Sequence, residues 1–94
     1  MKIYDKAQWH IDAGEDSHEV IEKFKKVFSF LASHNMLSDD GLEIFEFGMD
    51  SSVSLNEKMV SEEGKEFLEK CYDEVINCNA QSIGEALEQK YVNG

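Results

Sequence analysis

The chain has 94 residues but no arginine, no proline and only two cysteines, and no apolar run approaches the ~20 residues a membrane-spanning helix requires. Each absence narrows the chemistry. Without arginine there is no planar guanidinium fork for gripping phosphate. No glycine-rich phosphate loop replaces it, since Gly41 and Gly64 stand isolated within acidic turns. Direct nucleic-acid binding is therefore disfavoured. Without proline, six glycines and scattered Asn, Asp and Ser must make every turn, and no linker composition divides the chain. Residues 1–94 read as a single acidic globular domain. Cys71 and Cys78 lie seven apart, with neither a CxxC pair nor a histidine ladder, which sets aside a sulfur-rich zinc site. The opening Met-Lys-Ile-Tyr-Asp-Lys lacks the apolar stretch of an export signal, so the expectation is a cytoplasmic protein with reduced, buried thiols.

Negative charge, by contrast, is plentiful and unevenly placed. Between Met36 and Ile76 twelve acidic residues face three lysines, so nine of the eleven net negative charges fall in this middle stretch. Such a field repels phosphate and attracts a basic surface. The apolar share of 41 % is ordinary for a folded domain and argues against disorder.

Periodicity then places the elements. Ala7, Trp9 and Ile11 alternate with Gln8, His10 and Asp12, predicting a short N-terminal strand with one buried face, followed by a turn over 12–16. Asp16, three residues before Glu19, is a helix cap. The helix it opens, near Ser17–His34, carries the stripe Val20, Ile21, Phe24, Val27, Phe28 and Leu31. Glu19 with Lys23, and Glu22 with Lys26, form i,i+4 pairs, and Asn35 is a left-handed stop.

An internal echo follows, offset by 23 residues. Met36-Leu-Ser-Asp-Asp-Gly-Leu-Glu-Ile-Phe-Glu46 aligns with Met59-Val-Ser-Glu-Glu-Gly-Lys-Glu-Phe-Leu-Glu69, identical at five of eleven positions. Both copies have a serine N-cap (Ser38, Ser61) and two acids in the first turn, at the positive end of the helix dipole. Two copies are too few for a solenoid, and two similar helix starts are a simpler reading than duplication. The second copy opens a clear helix near Glu62–Asn77, with the stripe Phe67, Leu68, Cys71, Tyr72, Val75, Ile76 and Cys78 opposite Glu62, Glu66, Glu69 and Asp73. In the first copy, residues 42–47 fit either a short helix ended by Gly48 or a strand in a hairpin with Val53–Leu55; the cap and the echo favour helix. Ser82 opens a terminal helix through Tyr91, with Ile83, Leu87 and Tyr91 on one side. The expected fold is mainly α, with three to four helices and a short N-terminal strand. The alternative is α+β with a small antiparallel sheet. The helices near 17–34 and 62–77 are expected to pack on each other.

Few residues form a chemical constellation. His10, Asp12 and His18 offer two imidazoles and a carboxylate, as in mononuclear iron sites, but their spacing matches no established ligand set and no EF-hand pattern accompanies the acidic runs. No metal and no cofactor are expected. Cys71 and Cys78 fall on an apolar stripe, where packing explains them better than nucleophilicity. Trp9 is either a lid on the core or an exposed binding anchor, while Phe30 and Phe47 lie off their helices' main stripes and are available for a second surface.

The two acidic helix starts and the acidic face of the second suit a basic protein partner. Asp39, Asp40, Glu43, Glu62, Glu63, Glu66, Glu69 and Trp9 are the expected contact residues. In size, acidity and helicity the chain resembles the small immunity proteins with which bacteria neutralise their own toxins, many of them basic nucleases. The resemblance implies inhibition by binding. The helical colicin-nuclease immunity proteins carry a proline-containing segment with paired tyrosines at the binding helix. Neither is present here, so no functional residue carries over. The alternatives are a generic interaction or regulatory domain, a DNA mimic, or a small metal-dependent enzyme using His10, Asp12 and His18. No membrane contact is expected, and no sequence signal specifies an oligomeric state.

Overall fold

In the computed structural model, which describes residues 1–94, the chain runs β1 (Ile3–Lys6), α1 (Ala7–Asp12), α2 (Ser17–Ser33), α3 (Asp39–Phe47), β2 (Ser54–Asn56), a 3-10 turn (Glu57–Met59), α4 (Glu62–Val75) and α5 (Ile83–Asn93). The fold is mainly α, with five helices and a short antiparallel sheet. β1 pairs with β2 in the register Ile3↔Asn56, Asp5↔Leu55 and Lys6↔Ser54, with an irregularity between Ile3 and Asp5. No helix is long and apolar enough to cross a membrane.

The predicted N-terminal strand is four residues out of place. The strand is β1, and Ala7–Asp12 is helix α1. The buried positions of α1 are Ala7 and His10, with Ile11 half-buried, which is i, i+3, i+4 spacing. The apparent alternation is misleading because His10, polar and on the outward side of a period-two pattern, faces the interior.

Helix α2 follows its capping signal. The Asp16 carboxylate accepts the Glu19 backbone N–H at 3.0 Å, and Asn35 takes the left-handed conformation at φ 61° just beyond the end. Val20, Phe24, Val27, Phe28 and Leu31 are buried, and Ile21 is half-buried. The expected surface pairs are not formed. Lys23 is buried and donates to the Ile76 carbonyl, and Glu22 meets Lys25 at 3.4 Å in place of Lys26. Lys23 sits at i+3 from Val20 and i−4 from Val27, so the stripe carries it inward.

Residues 42–47 are helical, as the cap and the echo favour, and β2 takes β1 as its partner, not a hairpin mate from 42–47. α2 and α4, expected to pack on each other, share one core but are not close neighbours along their backbones. Each lies closest to α5, whose fully buried Ile83 and Leu87 enter the shared core, while α1 covers another part of α2. α2 and α4 meet through side chains, with the Phe30 and Phe67 rings 5.4 Å apart.

The two copies of the echo are more than similar helix starts: they pair with each other. Leu37 and Val60 form an antiparallel bridge. The Ser38 N–H donates to the Met59 carbonyl at 3.0 Å, and the Ser61 N–H donates to the Met36 carbonyl at 2.8 Å. The glycines complete the exchange. A Cβ at Gly41 would stand 2.0 Å from the Met59 carbonyl oxygen, and one at Gly64 would stand 2.5 Å from that of Met36. Each helix thus starts against the backbone of the other copy, and only glycine allows the approach.

Candidate functional site

Ser38 and Ser61 cap their helices as the sequence promised, whereas Ser82 makes no cap bond and donates its hydroxyl to Asn79 at 2.9 Å. The Ser38 hydroxyl accepts the Gly41 N–H at 3.1 Å, and the Ser61 hydroxyl accepts the Gly64 N–H at 3.2 Å. Because Gly41 and Gly64 face the ladder, the acids preceding them turn outward. Asp39, Asp40 and Glu43 on α3 are exposed, as are Glu62, Glu63, Glu66 and Glu69 on α4. In the Leu37–Val60 ladder Ser38 lies opposite Met59 and Ser61 opposite Met36, so the two acidic first turns leave from opposite ends of one short strip.

None of these seven carboxylates forms a salt bridge, and two lysines of the same region pair with other acids. Lys65 meets Glu57 at 3.6 Å and Lys90 meets Glu74 at 2.7 Å. Glu69 is the exception to free solvation, accepting the Tyr4 hydroxyl at 3.2 Å. Burial, and then the hydrogen bond and charge of Glu69, push Tyr4 up to about 12. The acidic face therefore acts on its own surroundings.

The apolar candidates divide. Trp9 is 50 % exposed on α1, whose neighbours are β1 and α2, with the Lys6 ammonium 5.9 Å from its ring centroid. It is no lid on the core, and α1 packs chiefly on β1 and α2, not on the helices that carry the acids. Phe30 is buried among Phe67, His34 and Tyr91, which removes it as a surface anchor. Phe47 is 83 % exposed at the end of α3, and Leu42 is also exposed on that helix. α3 thus offers carboxylates and apolar side chains on one outer face.

The metal alternative is not assembled. Each ring nitrogen of His10 faces a carboxylate at 2.9 Å, Asp5 on one side and Glu15 on the other. Asp12 accepts the Gln8 amide at 2.8 Å, and His18 is exposed in the first turn of α2. No three His, Cys, Asp or Glu side chains converge as metal ligands would.

Sequence reasoning missed the buried network to which His10 belongs. Asp5 is fully enclosed; its carboxylate accepts the Tyr72 hydroxyl at 2.8 Å and the Lys6 N–H at 2.9 Å besides facing His10. Burial, then the Asp5 charge and hydrogen bond, holds the Tyr72 phenol well above its usual range. Burial pulls the Lys23 ammonium down, against the attraction of Asp5, Glu15 and Cys78. A carboxylate orienting an imidazole is half of a nucleophilic triad, but a triad leaves the second nitrogen free for a hydroxyl or thiol. Here a second carboxylate occupies it. The network fastens β1, α1 and α4 together, and its members, up to 67 residues apart, left no local spacing to detect.

The cysteines follow the same division between interior and surface. Cys71 is buried with its Sγ 3.3 Å from the Phe67 carbonyl oxygen, and burial, then the Glu74 charge, pushes its thiol up, away from reactivity. Cys78, expected to be buried, is only partly covered because it lies beyond the end of α4. No family model, curated protein or solved structure matches the chain.

Proposed function

We propose that the protein acts by binding, without catalysis of its own, and that its ligand is a basic protein received on the outer faces of α3 and α4. The carrying observation is the set of six exposed carboxylates with neither a salt bridge nor a hydrogen-bond partner, Asp39, Asp40, Glu43, Glu62, Glu63 and Glu66, flanking one ladder. Opposed fields of this kind speed encounter by about 10- to 1,000-fold and bias orientation before contact. Phe47 and Leu42, exposed on the same helix as three of the acids, supply apolar area that slows release. An immunity-type inhibitor of a basic toxin or nuclease is the specific form of this reading, supported by size, acidity and helical fold. Trp9 becomes a secondary contact at most.

The test begins with capture of the partner from the native host on the immobilised protein, followed by stopped-flow association over a range of salt. Reversal of Glu62, Glu63 and Glu66 to lysine should slow association and flatten its salt dependence while leaving the fold intact. If the partner is a nuclease, one equivalent of the protein should abolish its activity. A partner whose association is indifferent both to salt and to the triple reversal would refute the proposal.

A further inference from the structure

Beside the second acidic turn, α4 and α5 enclose a cleft of about 260 Å³. Ligand pockets for small molecules generally run from about 300 to 1,000 Å³, so this one suits a single long side chain better than a cofactor. Its apolar lining includes Met36, Phe67 and Tyr91, and Glu63 and Glu66 also line it. The Phe67 and Tyr91 ring centroids are 6.1 Å apart at an interplanar angle of 59°. Tyr91 packs against His34, tilted 35° at 4.1 Å between centroids, and His34 is held by Glu88 at 2.8 Å. The aromatic wall is thus set before anything binds.

Two lysines also border the cleft, and both have other business. Lys70 donates to the Gly94 carbonyl at 3.1 Å, and Lys90 pairs with Glu74. Glu63 and Glu66 make no salt bridge and are left to face an incoming cation. Resting on the proposed basic partner, we infer that this cleft receives an arginine side chain of that partner. A guanidinium lays its flat face on aromatic rings, engages carboxylates through its fork and sheds water more readily than an ammonium. The chain has no arginine of its own to fill the cleft. A purely apolar occupant would strip the two carboxylates of water without replacing the lost hydrogen bonds, and an anionic one would find Lys70 and Lys90 already bonded to the Gly94 carbonyl and to Glu74.

The test uses the full ¹⁵N-labelled chain and two probes, Nα-acetyl-arginine methylamide and its neutral isostere Nα-acetyl-citrulline methylamide, each titrated at millimolar concentration. The arginine probe should shift resonances of residues 63–67 and Tyr91, saturably, while the citrulline probe leaves them nearly unmoved. Glu63→Gln with Glu66→Gln should weaken arginine binding about tenfold without loss of fold, because two charge-assisted hydrogen bonds become neutral ones. Tyr91→Ala, at a half-open site, should weaken it independently by removing the stacking face. Shifts spread evenly over the acids of α3 and α4, equal binding of citrulline, or indifference to the double variant would each overturn the pocket. That failure is separate from failure of the partner proposal. Diffuse attraction would leave salt-dependent association standing, whereas a salt-indifferent partner would remove the partner even if the cleft took arginine.

Discussion

Helices α3 and α4 begin from one local grammar and part company after their first turn. Each has a serine cap, two acids and a glycine pressed on the other copy's carbonyl. From there α4 runs fourteen residues and buries Leu68, Cys71, Tyr72 and Val75. α3 runs nine, buries only its glycine, leaves Ile44 and Phe45 half covered and stops at Gly48 with Phe47 in solvent. A helix start is thus decided by a cap and a close approach, whereas its depth in the fold is decided by how long the apolar stripe continues. The outcome is a division of labour within one motif: α4 carries its acids on the back of a core wall, and α3 carries its acids on the rim beside exposed apolar groups.

The sharpest way to break this comparison is truncation at aligned positions. Leu68→Ala should cost about 2–5 kcal/mol by urea unfolding, since Leu68 is only 2 % exposed. Phe45→Ala, at the equivalent position of α3, should cost less than half as much despite the larger side chain. Equal losses would show that α3 is as deep in the core as α4.

The glycines should behave alike where the leucine and phenylalanine differ. Gly41→Ala and Gly64→Ala each gain up to about 1 kcal/mol in helix propensity, yet the obstacle in both is a backbone carbonyl. A net loss of about 1–3 kcal/mol is expected for each. A loss confined to one copy would mean that the ladder is not reciprocal. Smaller still, Ser38→Ala and Ser61→Ala should each cost about 0.5–2 kcal/mol, again in parallel.

The copies also differ at their last acid. Glu69 binds the Tyr4 hydroxyl, whereas its counterpart Glu46 has no partner. Tyr4→Phe should cost about 1 kcal/mol at neutral pH. Tyr4 has a folded pKa of about 12 against an ordinary 10.0. Its contribution is therefore present in full below pH 10 and is lost as pH rises through 12; Tyr72 acts in the same direction. Urea midpoints should fall across that window, and Tyr4→Phe should make the fall shallower.

How much of this was legible follows the range of the signal. Caps and the long stripes act over three to eleven residues, so Asp16, Ser38, Ser61, Asn35 and the helices they bound were readable. The echo was visible too, but the reason for its glycines was not, because each faces a carbonyl contributed by the other copy. Outward carboxylates could be placed from the wheel. The buried Asp5–His10–Tyr72 network could not, and it disguised α1 as a strand by turning a histidine inward. Lys23 was the recoverable error, since its position on the apolar stripe was plain in the spacing. Cleft walls drawn from α4 and α5, with Met36 from the first copy, required the fold.

The association rate of the captured partner, measured against salt for reversals in each copy separately, bears on function most closely. Asp39, Asp40 and Glu43 changed to lysine, and Glu62, Glu63 and Glu66 changed to lysine, should each slow association, and together should slow it further. Phe47→Ala should leave the association rate unchanged and speed dissociation, because Phe47 stands 83 % exposed at the end of α3 beside its acids. Rates unaffected by either reversal, with a flat salt dependence, would show that both acidic turns are solvated surface and that the paired helix starts serve the fold alone.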